Sequence, residues 1–380
     1  MPRKQPRENA ESSRAILVRL RTVLAPETMS QMPDADRRPK PTIVVSGSLA
    51  FDHIMTYPGS FQDHIIPGKV YVLSVSFLFD SLRRDRGGVA GNIGYTFALL
   101  GERPALVGAG GSDFLEYRTT FENLGIDMTH VLDVPGELTG SSFMSTDLAG
   151  NQIAGFYPGA STHANEVSVL ELGRDTIFGI VGPTSLDVMR QHTEEFAASG
   201  CKLVYDPSQQ VVSLGADELI AGIDGAWAVI GSDYEMAVIG EKTGMSVDDL
   251  AKRVPFVGVT LGRFGSELRY EGQTVIVPAA PVTRMGDPTG GGDAYRAGLL
   301  KGLMLGLPLD VSGRIGSLAA TYSVERHGPQ EQFYTADEFV ARFNDVFPDY
   351  VGVIQSEWLQ TSVDRETALA RLAVVAAGGD

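Results

Sequence analysis

From about residue 177 onward, short unbroken apolar runs alternate with longer segments of helical periodicity. The runs are 177–181, Lys202–Tyr205, 227–230 and Phe256–Thr260. Each is too short for a helix and is flanked by polar or turn residues. Apolar runs of this length, separated by amphipathic helices, predict parallel strands covered on both faces. A hairpin around Glu271-Gly272 follows, and helices at 291–305, 310–326 and 336–346 complete the series. Before residue 160 the pattern is more β-like. Thr42-Ile43-Val44-Val45 reads as a buried strand closed by Ser46-Gly47-Ser48, and a helix spans 89–100 up to Gly101. The segments 70–75 and Ser142-Phe143-Met144-Ser145-Thr146 read as strands. The pattern predicts an α/β fold with a central, mostly parallel, doubly wound sheet flanked by helices. Inserts near 53–86 and 136–158 would form a small β lid over the sheet edge.

Charge changes this picture at one end only. The 380-residue chain has a formal net charge of −16, yet residues 1–40 carry nine Lys/Arg against five Asp/Glu. The remainder is strongly acidic, which argues against nucleic acid or an anionic membrane as a partner. Residues 13–24 have the spacing of a short basic amphipathic helix, and 1–40 as a whole reads as a poorly ordered basic extension. The folded body would then cover 41–350, with a helical tail at 351–380. No stretch of 18 consecutive apolar residues occurs, and Cys201 is the single cysteine. The chain therefore reads as cytoplasmic, without disulfides or a thiolate metal cage, and with Cys201 as a buried small hydrophobe.

The densest chemistry lies in Asp287-Pro288-Thr289-Gly290-Gly291-Gly292-Asp293, which runs into the apolar segment Ala294-Tyr295-Arg296-Ala297-Gly298-Leu299-Leu300. Glycines at the start of a helix let backbone N–H groups point at an anion, and the helix dipole adds to their pull. A carboxylate in such a place would repel a phosphate. Asp293 therefore makes sense as a general base that deprotonates an attacking hydroxyl, with Gly290, Gly291 and Gly292 as the anion hole. A Gly-rich turn of this kind also serves plain helix–strand packing, but two flanking acids suit packing poorly.

A second cluster, Arg86-Gly87-Gly88-Val89-Ala90-Gly91-Asn92, opens the 89–100 helix. Two glycines allow close approach of a polar ligand, and the Asn92 amide can both donate and accept. Asp52 stands beyond the first strand, where open α/β sheets bind ligands, and could accept two adjacent hydroxyl protons. Taken singly, these residues also suit a helix cap and a solvated turn. In combination they point to a polyol.

Gly87-Gly88-x-x-x-Asn92 and Asp287-x-Thr289-Gly290-x-Gly292-Asp293 together resemble the two signatures of the ribokinase-like (PfkB) carbohydrate and nucleoside kinase family, over about residues 42–347. The strings 74–78, 155–160 and 206–210 are similar to its bacterial adenosine kinase branch. The resemblance implies a ribokinase-like fold and ATP-dependent phosphorylation of a nucleoside, adenosine foremost, at its 5′-hydroxyl. It implies Asp293 as base, Asp52, Gly88 and Asn92 on the sugar, and Ser48, Ser76, Phe156, Gln209 and Gln210 around the nucleoside, with Phe156 stacking on the base. Thr260, Gly262 and Gly265 belong to a loop that contacts ATP, and Thr289 lies on the same side. The family's Asn-x-x-Glu motif, whose acid supports the Mg2+ water shell, appears as Ser232-Asp233-Tyr234-Glu235, with Ser232 in place of Asn. A second purine-pocket aromatic would fall near Ser142 and Phe143. A monovalent cation such as K+ is a further implied partner.

Two other readings accompany this one. A sugar or sugar-phosphate kinase of the same fold would use Arg83, Arg84, Arg86 or Arg118 for a substrate phosphate. A nucleoside-binding regulator without turnover is suggested by Ser232 alone. The apolar stretch 70–79 offers a self-pairing surface for a homodimer through the lid. Competing motifs are weak. Gly108-Ala109-Gly110-Gly111-Ser112-Asp113 lacks the third glycine of a dinucleotide fingerprint and precedes no clean βαβ pattern, and the chain contains neither a P-loop nor H-E-x-x-H. Ser199-x-x-Lys202, Ser232-Asp233 and Lys242-Thr243-Gly244 occur in contexts foreign to penicillin-recognising enzymes.

Overall fold

The computed structural model describes residues 41–65 and 75–376. The basic segment 13–24 and most of the 70–75 strand lie outside the described residues. Residues 75–79 carry no strand.

The first strand, β1 (Ile43–Ser46), is fully buried and sits between two parallel neighbours. Its alternate residues enter different layers: Ile43 and Val45 belong to one core cluster, Val44 to the other. This is why its apolar run is continuous rather than alternating. The chain then leaves for a small sheet, β2 (Ala50–Thr56) and β3 (Ser81–Gly87), before helix α1 (Val89–Leu99) returns it to the body. Strand β4 (Ala105–Gly110), helix α2 (Leu115–Asn123) and β5 (Asp127–Asp133) follow, and β4 and β5 pair in parallel. The Gly108 motif thus does end the first strand of a βαβ unit, contrary to the sequence expectation. The glycine spacing misleads because Gly110 packs against the Phe114 ring and Gly111 against the Leu138 backbone, leaving no room for a ligand.

Strands β6 (Gly140–Thr146) and β7 (Gln152–Tyr157) complete the small sheet in the order β3-β2-β6-β7. From there the alternation is regular: α3 (Leu170–Arg174), β8 (Phe178–Val181), α4 (Leu186–Ser199), β9 (Lys202–Tyr205), α5 (Ala216–Gly225), β10 (Ala228–Ser232), α6 (Asp233–Thr243), α7 (Val247–Arg253) and β11 (Phe256–Thr260). The predicted hairpin is β12 (Ser266–Tyr270) and β13 (Gln273–Val277). Glu271 and Gly272 both have positive φ, 46° and 85°, as a tight twisted turn requires. The large sheet has nine strands in the order β13-β12-β11-β10-β9-β8-β1-β4-β5, parallel except for the hairpin edge. Helices α8 (Gly291–Met304), α9 (Leu309–Val324), α10 (Ala336–Val346) and α11 (Arg365–Ala376) finish the chain. Val363, Ala368, Leu372 and Val375 join the same core cluster as β1, so the C-terminal helix packs into the body.

The sheet reverses direction at β1, which has β4 on one side and β8 on the other. Loops at the carboxyl ends of strands flanking such a reversal diverge and open a crevice. Asp52 is not a turn residue there, as its sequence neighbours suggested, but lies inside β2, opposite Asp85 of β3 and Ser142 of β6. Two flanking strands supply the pairing that a local reading cannot foresee.

Candidate active site

The crevice holds a cavity of about 810 Å³ whose lining includes Ser48, Asp52, Asn92, Gln210, Glu235 and Asp293. Its roof is the small sheet. Asp52, Ser142 and Phe156 are directly opposite one another across β2, β6 and β7, so they share one face, and all three line the cavity. Phe143 points the other way and stacks on His53. The lid therefore presents Ser142 rather than a second aromatic, and Phe156, 58% exposed, is the aromatic on this face.

The floor is the start of α8. Gly290 caps it in the left-handed region, φ 79°, and Thr289 N–H donates to Asp287 Oδ1 at 2.9 Å, tightening the approach. A side chain on Gly290 would meet Pro329 as well as the wrong φ. The Gly291 N–H donates to the Pro288 carbonyl oxygen at 3.3 Å; Gly290 and Gly292 line the crevice cavity, and Gly291 and Gly292 line a second one. That cavity, about 570 Å³, is lined by Thr260, Gly262 and Gly265 on one side and by aliphatic residues such as Pro281, Val282 and Met285 on the other. Thr260 and Gly292 border both spaces. A polar chamber and an apolar one thus meet at the glycine turn.

Asp293 is buried, 7% exposed, at this meeting point. Asn92 Nδ2 donates to its Oδ2 at 2.8 Å, and Arg296 Nη1 lies 3.4 Å from Oδ1. Burial raises the Asp293 pKa, with Glu235 acting in the same direction, while Arg296 and the Asn92 bond oppose the rise. Asp52 is pushed up to about 6, first by burial and then by the negative charges of Asp85, Asp287 and Asp293, with Arg83 pulling the other way. A carboxyl in this state can accept hydroxyl protons near neutral pH and loses that ability in mild acid.

Gly88 caps α1 with φ 86°, and a side chain there would come within 2.4 Å of the Ser48 carbonyl oxygen. This glycine is required by both conformation and space. Ser48 Oγ in turn accepts from Val89 N–H at 3.0 Å. Gln210 donates from Nε2 to the Thr184 carbonyl oxygen at 2.8 Å, leaving its own carbonyl oxygen as the acceptor it can offer a ligand. Ser232 caps α6: its hydroxyl accepts from Glu235 N–H, and Glu235 Oε2 accepts from Ser232 N–H at 2.7 Å. A serine in place of asparagine therefore closes a capping box and holds Glu235 at the cavity wall. Ser76 is exposed and does not line the cavity. Gln209 does line it.

Sequence reasoning overlooked Arg296 and Asp206. Both are buried, and Arg296 Nη2 donates to Asp206 Oδ1 at 2.7 Å while lying 3.8 Å from Glu235. Burial raises the Asp206 pKa, and the guanidinium opposes it. The signal was a cation within the apolar segment 294–300, which requires a buried partner. The arginines considered as phosphate readers are committed elsewhere. Arg83 binds Asp85, Arg84 binds Asp113 at 2.6 Å, Arg86 faces Glu331, and Arg118 binds two backbone carbonyls and Asp133.

A glycine turn at a helix start, with a buried carboxylate in the first turn and a cavity open onto it, is the arrangement that the sequence motifs lead one to expect for phosphoryl transfer to a hydroxyl. The model of the pfkB family carbohydrate kinases matches residues 43–336. The chain belongs to this family and has its ribokinase-like fold; it is a phosphotransferase acting on a hydroxyl group. A nucleoside kinase of Methanothermobacter thermautotrophicus is 31% identical over 266 residues, 69% of this chain and 85% of that protein. The Burkholderia thailandensis nucleoside kinase in complex with inosine is 35% identical with a TM-score of 0.73, covering 80% of this chain and 98% of that one. Its ADP-inosine complex is similar at 36% identity and TM-score 0.71, over 80% and 96% of the two chains.

Proposed function

We propose that this protein is an ATP-dependent nucleoside kinase that phosphorylates the 5′-hydroxyl of a purine ribonucleoside, adenosine or inosine. The observation that carries this reading is the placement of Asp293, buried at the glycine turn between the two chambers. A ribose held by Asp52 and Asn92 brings its 5′-oxygen to Asp293. The base extends beneath the lid toward Phe156, where an aromatic face suits stacking. The free carbonyl oxygen of Gln210 can accept from an exocyclic amine or from a ring N–H, so either purine is served. ATP occupies the apolar chamber with its phosphates at the start of α8, and the complexes named for the Burkholderia relative support both occupants.

In the reaction Asp293 takes the hydroxyl proton as the 5′-oxygen attacks the γ-phosphorus and the bond to the β-γ bridging oxygen breaks, releasing ADP. The first-turn N–H groups at Gly290–Gly292 take up charge on the transferring group. The small sheet over the crevice keeps out water that would otherwise be phosphorylated. Among the described residues no cluster of three or more carboxylate, His or Cys groups could cage a metal by itself. Glu235, fixed at the cavity wall by its capping box, would hold Mg2+ through water. Mg2+ so bound offsets phosphate charge.

The disposition of Arg83, Arg84, Arg86 and Arg118 in ion pairs and backbone bonds argues against a sugar-phosphate acceptor. ADP release from Mg-ATP, measured with adenosine, inosine, other nucleosides, ribose, fructose and fructose 6-phosphate, tests the reading. Turnover with purine nucleosides at low acceptor concentration is expected. Turnover confined to sugars would discard the purine pocket, and tight nucleoside binding without ADP release would identify a regulator.

A further inference from the structure

Gln330 lies outside the cavity lining, is 2% exposed, and stands 238 positions from Asn92 in sequence. Its Nε2 donates to Asn92 Oδ1 at 2.9 Å, to Tyr117 Oη at 3.1 Å and to the Gly87 carbonyl oxygen at 3.4 Å. The polarity of this group is dictated from one end. The Gly87 carbonyl can only accept, and Tyr117 donates its hydroxyl proton to it at 2.8 Å. The tyrosine oxygen then has only acceptor capacity left. Three acceptors converge on one end of the Gln330 side chain; its NH2 serves the two nearer ones, Asn92 and Tyr117, with its two protons, whereas a carbonyl oxygen there would face three acceptors.

That choice passes to Asn92. With Gln330 donating, the Asn92 carbonyl oxygen must face it, and the Asn92 NH2 must face Asp293. The reversed amide would set two NH2 groups against each other and a carbonyl oxygen against a carboxylate. The 2.8 Å bond from Asn92 Nδ2 to Asp293 Oδ2 is thus the last link of a directed chain that starts at a main-chain carbonyl of β3.

We infer that Gln330 is a positioning residue for phosphoryl transfer: it sets the orientation of the Asn92 amide and, through it, of the Asp293 carboxylate. The inference rests on the proposed role of Asp293. It predicts an effect on kcat from a side chain that touches neither chamber, and an effect that exists only while Asn92 is present.

The test is a double-mutant cycle with two near-isosteric variants, Gln330→Met and Gln330→Glu, each made alone and with Asn92→Ala. Folding is checked first by thermal unfolding and by ADP binding, and the cycle is read on each variant that folds. Gln330→Met should lower kcat about tenfold, the upper weight of one neutral hydrogen bond, with acceptor KM within about twofold of the parent. Gln330→Glu, which reverses the polarity of the chain, should lower kcat further. In the Asn92→Ala background neither change should lower kcat again. Wild-type kcat in Gln330→Met, or losses that multiply with that of Asn92→Ala, would overturn the inference. The cycle uses whichever acceptor the parent protein phosphorylates, so failure with nucleosides refutes the nucleoside reading and leaves Gln330 to be judged with ribose.

Discussion

Asn92 and Asp293, 201 positions apart in sequence, share a 2.8 Å hydrogen bond in which the amide donates to the carboxylate. Donation of this kind favours the ionised form, so a buried acid is kept as an acceptor of protons. Asp293→Asn keeps the shape and removes the basicity. It should lower kcat by about 10²- to 10⁴-fold with the melting temperature little changed. Steady-state kinetics and a thermal melt check this together, and near-normal kcat would remove Asp293 as the base.

Asp52 should shape the acid side of the pH profile together with the base Asp293. Its pKa is raised to about 6, so the acceptor kcat/KM should fall as pH drops below about 6, and Asp52→Asn should flatten this limb while raising acceptor KM. The same shift acts on stability with a definite sign. The folded state holds this proton more tightly than the unfolded chain, so the contribution of Asp52 to stability declines as pH rises from about 4 to about 6 and is level above that. Urea unfolding of Asp52→Asn should therefore show its largest gain over the parent above pH 6.

Phe156 is the residue expected to discriminate among acceptors. Its ring is half-exposed on β7 and lines the cavity beside Ser142. Phe156→Ala should raise KM for adenosine and inosine by about five- to tenfold, in keeping with one lost stacking contact, and leave KM for ribose unchanged. Equal effects on nucleosides and ribose would show that the ring supports the lid rather than the base.

Lys301 and Glu102 form a fully buried pair at 2.6 Å, and Glu102 also accepts from Ser362 Oγ at 2.9 Å and Val363 N–H at 3.3 Å. The pair ties the C-terminal segment to α8. Lys301→Met leaves a buried carboxylate without its counter-charge and should cost about 3–5 kcal/mol of unfolding free energy. Adding Glu102→Gln should recover at least half of that loss, because it removes the buried charge while the amide oxygen accepts from Val363 N–H and the NH2 can donate to the Ser362 hydroxyl oxygen. Denaturant titrations of the single and double variants measure both quantities.

Much of the body was legible because its signals are local. Apolar runs such as Lys202–Tyr205 and Phe256–Thr260 carry their own strand length, and Gly290–Gly292 before an apolar segment carries its own signal of a helix start. Asp287, Asp293, Gly88 and Asn92 could be singled out for the same reason: the chemistry of each follows from neighbours within a few residues.

The rest depended on contacts between distant segments. The strand that contains Asp52 exists only because β3 and β6 flank it, and the register of β6 decides that Ser142 faces the ligand space while Phe143 turns to His53. A one-residue shift would exchange those two faces, and no local pattern excludes it. The Arg296–Asp206 pair and the chain from Gly87 through Gln330 to Asn92 join groups dozens to hundreds of positions apart. The sequence by itself determined which residue types could bind an anion and take a proton. Only the tertiary structure decided which way their amides and carboxylates point, because buried polar groups are oriented by whatever partner the fold brings within hydrogen-bonding distance.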